Sequence, residues 1–128
     1  MSNRLRISKV TSDKLLDLQA PTNFTRNILV RLAIGLSLQD SSMPSLVNDK
    51  SPGGFDIDRF ILTGEYDLVY KTLITQHAQR ELSDEEYFPN LFNAHLERGI
   101  FLLENEYKHA GNAEKFLINL LQQQEGVR

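Results

Sequence analysis

Residues 4–38 read RLRISKVTSDKLLDLQAPTNFTRNILVRLAIGLSL, and the order of patterns within them decides the fold. Arg4-Leu5-Arg6-Ile7-Ser8 alternates polar and apolar, which puts Leu5 and Ile7 on one face of a short strand and Arg4, Arg6 and Ser8 on the other. Thr11 or Ser12 then serves as N-cap of a short helix, with Asp13 favourable in its first turn and Leu15, Leu16 and Leu18 as its apolar stripe. Pro21 ends this helix, because the residue before a proline is pushed towards an extended conformation. Phe24-Thr25 opens a second helix, with Thr25 as N-cap and Phe24 stapled onto Leu29. This helix runs from Arg26 to Leu38. Ile28, Leu29, Leu32 and Leu36 form one stripe on it, and Val30, Ile34 and Leu38 lie around the other side. A helix apolar nearly all round is buried on both faces, at the centre of a core or at a subunit interface.

Outward from this segment, residues 39–54 (QDSSMPSLVNDKSPGG) read as a loop, longer than the usual ~4–6 residues. Phe55, Ile57, Arg59 and Ile61 alternate with Asp56, Asp58, Phe60 and Leu62, which suits a short extended segment before the Thr63-Gly64 break. A helix is expected from Glu65 to about Arg80. Ser83 and Glu86 form a capping box, and Pro89 interrupts. A longer helix follows from about Asn90 to Tyr107, with Phe92, Leu96, Gly99 and Leu103 on one stripe. Gly in mid-helix costs ~1 kcal/mol relative to Ala, so Gly99 marks a close helix–helix approach. Gly111-Asn112 turns the chain into a last helix, Ala113 to Gln123, carrying Phe116, Leu117, Leu120 and Leu121. The expected fold is mainly α and a single domain over residues 1–128. It divides into a basic strand-helix-helix segment (1–38), a loop (39–54) and an acidic helical part (55–128).

Composition narrows the chemistry. Leu, Ile, Val and Phe supply 40 of the 128 residues, enough for a genuine core. There is no Cys, which excludes disulfides, thiolate zinc sites, Fe–S clusters and a persulfide carried by this chain. No apolar run approaches the ~18 residues of a membrane span, and MSNRLRISKVTSDK contains no apolar signal-peptide core. A cytoplasmic protein is expected, with no membrane partner. The formal net charge of −3 conceals an asymmetry. Residues 1–31 set Arg4, Arg6, Lys9, Lys14, Arg26 and Arg31 against Asp13 and Asp17, a net +4 that leaves −7 for the rest. An acidic body makes a poor generic nucleic-acid binder. A basic segment on it can still grip phosphates locally, since screening limits repulsion to about a Debye length.

A strand, helix, break and helix within 38 residues matches the ribbon-helix-helix plan, in which two chains pair their strands into a ribbon that enters the DNA major groove. Arg4 and Arg6 occupy the outward strand positions, and Thr25 and Arg26 sit at the helix N-terminus that would receive a phosphate. The candidate DNA-binding set is therefore Arg4, Arg6, Lys9, Lys14, Thr25, Arg26 and Arg31. The plainer alternative is a strand tucked beside a helical core, with solubilising surface cations. No catalytic or metal residue is assigned, and no cofactor. His77 and Glu81 could share a helix face, but His95 and Glu97 could not, and His95 reads as a satisfied core histidine. Asp56 and Asp58 could hold Mg²⁺ for phosphoryl chemistry with Arg59 and Glu65 near in sequence; capping by Asp58 is the simpler role. Ser-Pro-Gly-Gly at 51–54 is no P-loop, since no Gly-Lys-Ser/Thr follows, and no Gly-x-Ser-x-Gly nucleophile elbow is present.

Asn3-Arg4-Leu5-Arg6-Ile7-Ser8-Lys9 with Thr11-Ser12-Asp13 resembles the opening of the DndE family of bacterial DNA phosphorothioation systems. So do Asn27-Ile28-Leu29 with Arg31-Leu32-Ala33, Leu62-Thr63-Gly64-Glu65-Tyr66-Asp67, and His95-x-x-Arg98-Gly99-Ile100. The resemblance spans nearly the whole chain in order. It implies a Met-repressor-like N-terminal half, binding to double-stranded DNA with a preference for nicked duplex, and tetramers. It also implies work beside a cysteine desulfurase and the other subunits that replace a non-bridging phosphate oxygen by sulfur. Sulfur transfer normally runs through a thiolate or persulfide, so a chain without Cys would be a DNA-binding or assembly subunit and not an enzyme. The alternative is a module that scaffolds the modification partners without touching DNA. The all-round apolar helix and the unpaired strand both need covering, so a homo-oligomer, dimer or tetramer, is expected with residues 26–38 at its centre.

Overall fold

The computed structural model describes residues 3–49 and 51–126, and the side chains of these as far as residue 122. The expected domain limits at residues 1 and 128, and Lys50 in the loop, lie outside the described residues. The protein is mainly helical. Strand β1 (Arg4–Arg6) leads into α1 (Lys9–Thr22) and α2 (Arg26–Leu38), and strand β2 (Asp56–Asp58) into α3 (Arg59–Thr63). A single 3₁₀ turn at Gly64–Tyr66 precedes α4 (Asp67–Ala78), a π-type turn at Glu86–Leu91 precedes α5 (Phe92–Ala110), and α6 (Ala113–Gly126) closes the described chain.

The strand-helix-helix order at the N-terminus stands, but β1 is not unpaired. It runs antiparallel to β2 of the same chain, with Arg4 opposite Asp58, Leu5 opposite Ile57 and Arg6 opposite Asp56. Leu5 and Ile57 are buried beneath this pair, so the alternation in each segment faces one core. The α1 cap also differs from expectation. Ser8 Oγ accepts the Thr11 N–H at 3.2 Å, and the Ser8 carbonyl accepts the Ser12 N–H at 2.9 Å, so the helix begins a turn earlier. Thr11 and Ser12 are buried inside that first turn. Its end is set by Asn23 and not by Pro21. Asn23 adopts a left-handed φ of 59°, and its N–H donates to the Gln19 carbonyl.

Helix α2 opens as expected, with Thr25 Oγ1 accepting the Ile28 N–H at 3.3 Å. Its buried face is Leu29, Val30, Ala33, Ile34 and Ser37, packed against α5. A Cβ at Gly99 would overlap the carbonyl oxygen of Ala33, so the close approach read from that glycine is real. The helix is central to the core of the chain but not buried all round. Ile28 is 41% exposed, and Leu32 and Leu36 line a groove towards α6.

The extended segment expected over residues 55–62 shortens to β2. Asp58 turns the chain by accepting the Phe60 N–H at 2.9 Å, and α3 follows. This turn carries Arg59 inward, where it is 5% exposed and paired with Asp67 at 2.7 Å and Asp84 at 2.8 Å. Its guanidinium lies 5.1 Å from the Tyr87 ring and 5.3 Å from that of Phe88. The Ser83–Glu86 capping box closes in both directions, at 3.0 and 3.1 Å. Phe88 is extended just before Pro89, which delays α5 to Phe92. The core is one cluster running from Leu5 and Ile7 through Leu29 and Ile34 to Phe92, Leu96 and Phe116. No helix among the described residues is long and apolar enough to cross a membrane.

Candidate nucleic-acid interface

The segment 51–56 seals itself against β1 and the N-terminal ends of α1 and α2. The Ile7 N–H donates to the Phe55 carbonyl at 2.7 Å, and the Phe55 N–H donates to Ser12 Oγ at 3.0 Å. Gly54 is needed for this seal, since a Cβ there would overlap the Ile7 carbonyl oxygen. Four of the expected cations converge on the same segment. Arg4 Nε reaches Asp56 Oδ1 at 2.9 Å and its Nη2 donates to the Asp56 carbonyl at 3.0 Å. Arg6 Nη2 donates to the Ser51 carbonyl at 3.4 Å. The Lys9 stem lies beside Gly53 while its Nζ pairs with Asp13 at 2.6 Å. The Arg26 guanidinium stacks 4.3 Å over the Phe55 ring.

Arg4, Arg6, Lys9 and Arg26 therefore form one patch, and Thr25 stands beside it as the α2 cap. Their ion pairs are exposed, 59% at the Arg4 side chain, and exposed pairs contribute only ~0–1 kcal/mol. Such pairs can exchange a carboxylate for a phosphate at little cost. The patch borders the N-terminal ends of α1 and α2, each capped by a hydroxyl (Ser8 and Thr25), and the positive ends of the two helix dipoles favour an anion nearby. The remaining two expected cations lie elsewhere. Lys14 Nζ is 2.6 Å from Glu104 and 4.7 Å over the Phe101 ring, with the pair largely buried against α5. Arg31 Nε donates to the Leu62 carbonyl at 2.8 Å, and its guanidinium fills the space where Gly64 has no side chain.

The other candidate clusters have local work. Asp56 is the partner of Arg4, and Asp58 caps α3. Among the described residues no group of three or more His, Asp and Glu is placed to hold a metal ion. His95 is fully buried, and burial pushes its pKa down to about 4, so the ring is neutral at pH 7. Only one of its nitrogens fits the expectation of a satisfied core histidine. Nδ1 lies 2.8 Å from Ser37 Oγ, whereas Nε2 has no partner among the described residues and the ring sits edge-on to His77 with centroids 4.7 Å apart. Arg98 completes this cluster, donating to Ser37 Oγ and to the carbonyls of Ser37 and Ser42, each at 2.8 Å. It ties the start of the 39–54 loop to α5. Neither Arg98 nor Arg59 was assigned a role from the sequence. The i, i+3 spacing of His95 and Arg98 was the available signal for the first.

The family model described as DNA sulphur modification protein DndE matches residues 4–124. Two solved structures align with similar quality. One is DndE from Escherichia coli B7A, described as involved in DNA phosphorothioation modification. It is 27% identical with a TM-score of 0.63, covering 80% of this chain and 98% of that one. The other is a glycine-to-lysine mutant of DndE, also described as involved in DNA phosphorothioation. It too is 27% identical with a TM-score of 0.63, covering 82% of this chain and 99% of that one. No curated protein matches the chain.

Proposed function

The chain belongs to the DndE family of DNA sulphur modification proteins, and from that premise we propose that it is a DNA-binding accessory subunit of phosphorothioation. In this reading it holds duplex DNA by the phosphate backbone, with preference for a nick, and helps assemble the modification complex in the cytoplasm. It catalyses no step itself. A chain without Cys has no thiolate or persulfide to pass sulfur on, so the sulfur must come from another subunit. The observation that carries the DNA reading is the convergence of Arg4, Arg6, Lys9 and Arg26 on one segment, beside two helix N-termini.

Backbone contacts suit a protein that distinguishes a nick, which is a feature of shape and flexibility and not of base identity. Self-association suits the apolar surface that the protomer leaves uncovered. A groove of about 550 Å³ between α2 and α6 is lined by Phe24, Leu32, Leu36, Leu117 and Leu121, and Leu121 is 63% exposed. Val30 and Ile34, by contrast, are wholly buried within one protomer, so substituting them would test folding and not assembly. Gel shifts with intact and nicked duplex at several salt concentrations test the DNA reading. The nicked duplex should bind more tightly, and the combined Arg4, Arg6, Lys9→Ala variant should lose affinity and salt dependence. Unchanged affinity and slope in that variant would instead favour a scaffold that binds partner subunits only.

A further inference from the structure

Beside the cation patch lies a cleft of about 290 Å³, bounded by β1, the stretch around residues 46–49 and the start of α5. Leu5 and Pro89 contribute apolar wall. Arg6, Asp49 and the carboxamides of Asn48, Asn90 and Asn93 contribute polar groups. Asn93 Oδ1 is buried and has no hydrogen-bond partner among the described residues. Asp49 Oδ1 accepts from the N–H and hydroxyl of Ser51 at 2.8 and 2.6 Å, and these bonds hold its carboxyl below the usual range, so it is ionised.

A carboxamide presents a donor and an acceptor side by side, a carboxylate only acceptors, a guanidinium only donors. Together they complement the edge of a flat heteroaromatic ring, while the apolar wall suits its faces. A phosphate fits this cleft poorly because of Asp49. An exocyclic amino group fits it well, since the Asp49 carboxylate and Asn93 Oδ1 are both acceptors and Asn93 Oδ1 lacks a donor among the described residues. The volume lies at the small end of ligand pockets, ~300–1,000 Å³, which suits one base and not a longer segment.

We propose that this cleft receives a single nucleobase turned out of the duplex beside the phosphates that Arg6 and its neighbours hold. The inference rests on the DNA-binding reading above and deepens it. Extrusion is easiest where stacking and backbone are already interrupted, so a base next to a nick is the natural occupant. The cleft would thereby contribute to preference for nicked over intact duplex.

The test uses the full chain and a nicked duplex carrying 2-aminopurine at the nucleotide flanking the nick. Among the described residues no aromatic ring lines the cleft to quench the probe, so binding should raise its fluorescence several-fold, and a probe placed far from the nick should stay silent. Asn93→Leu should abolish the rise and lower gel-shift affinity for the nicked duplex towards that for the intact one, which the cation patch still holds. Asn90 is exposed, so Asn90→Ala provides a second variant that does not threaten folding and should reduce the rise. A complex that forms in the gel with no fluorescence change, or a rise untouched by both variants, overturns the base cleft alone. Absence of any complex with the wild-type chain overturns the DNA reading and the cleft with it.

Discussion

Arg59 shows how much can depend on one side chain. It is buried, forms a two-toothed bond to Asp67 through Nε and Nη2, and a second to Asp84 through Nη1 and Nη2. Removing the cation leaves the partly buried Asp67 carboxylate without its guanidinium and Asp84 with Lys71 alone, 3.3 Å away. Arg59→Met should therefore destabilise by about 3–5 kcal/mol in urea titrations, and Arg59→Lys should fail to restore the loss because an ammonium cannot match both forks. The same group shapes the acid limb. Hydrogen bonds from Arg59 hold the Asp84 carboxyl at about 2. Burial opposes ionisation of Asp67, but the bonds and charge of Arg59 outweigh it and its pKa is also lowered. Both folded-state values lie below the unfolded ones, so their stabilisation is present above pH ~4 and lost as pH falls towards 2. His95 acts earlier on the scale. Burial keeps it neutral down to about pH 4, whereas the unfolded chain protonates it near ~6.5. Stability should fall by roughly 3 kcal/mol between those values, and His95→Gln should flatten that part of a stability–pH curve. An unflattened curve would assign the limb to other groups. In the sequence Arg59 is one position in an extended alternation. Its partners lie 8 and 25 residues away, and no local pattern joins them.

Elements whose signals are local were legible from the sequence. Thr25 and the Ser83–Glu86 box cap where side-chain chemistry requires, and α5 and α6 follow their apolar periodicity. Elements fixed by distant contacts were not. The α1 start moved to Ser8 because residues 54 and 55 close over that turn, using Ser12 as acceptor. The second face of α2 looked buried by composition, yet it borders a groove, since α6 stands off from it there. The candidate interface divided the same way. The outward alternation puts Arg4 and Arg6 on the exposed side of β1, and the capping rule puts Thr25 at the start of α2 with Arg26 after it. Lys14 and Arg31 are engaged by Glu104 and the Leu62 carbonyl, partners that only the tertiary fold supplies. The α2–α5 contact carries its own prediction. Adding a methyl at Gly99 drives it into backbone, which cannot rotate away as a side chain can. Helix propensity alone would favour Ala by ~1 kcal/mol. Overpacking should overwhelm this, so Gly99→Ala should destabilise by about 2 kcal/mol or more. Equal or greater stability by chemical denaturation would show that the two helices separate freely.

At the scale of the whole molecule, the N-terminal strand and helices share one core with α5 and α6, so heating should give a single cooperative transition. Two resolved transitions would divide the chain. The net charge of −3 belongs to a body on which Arg4, Arg6, Lys9 and Arg26 form one basic patch, and that arrangement makes salt dependence more informative than affinity. Each phosphate neutralised on duplex DNA steepens the slope of log K against log salt by about 0.9. A protomer using Arg4, Arg6, Lys9 and Arg26 should thus show a slope near −4, and one left with Arg26 alone a slope near −1. Assembly multiplies the number. If copies associate through the α2–α6 groove, Leu32→Asp with Leu121→Asp puts charge into an apolar contact and should yield monomers in sedimentation. Neither substitution touches the cation patch. The monomeric variant should retain the single-protomer slope and lose the avidity of several patches engaging one duplex. Slope and sedimentation must therefore change together. A monomer that keeps the full wild-type slope would show that one protomer makes all the phosphate contacts, and a variant that stays assembled would place the self-contact elsewhere, with the exposed Phe60, Ile61, Leu68 and Val69 surface next to be tested.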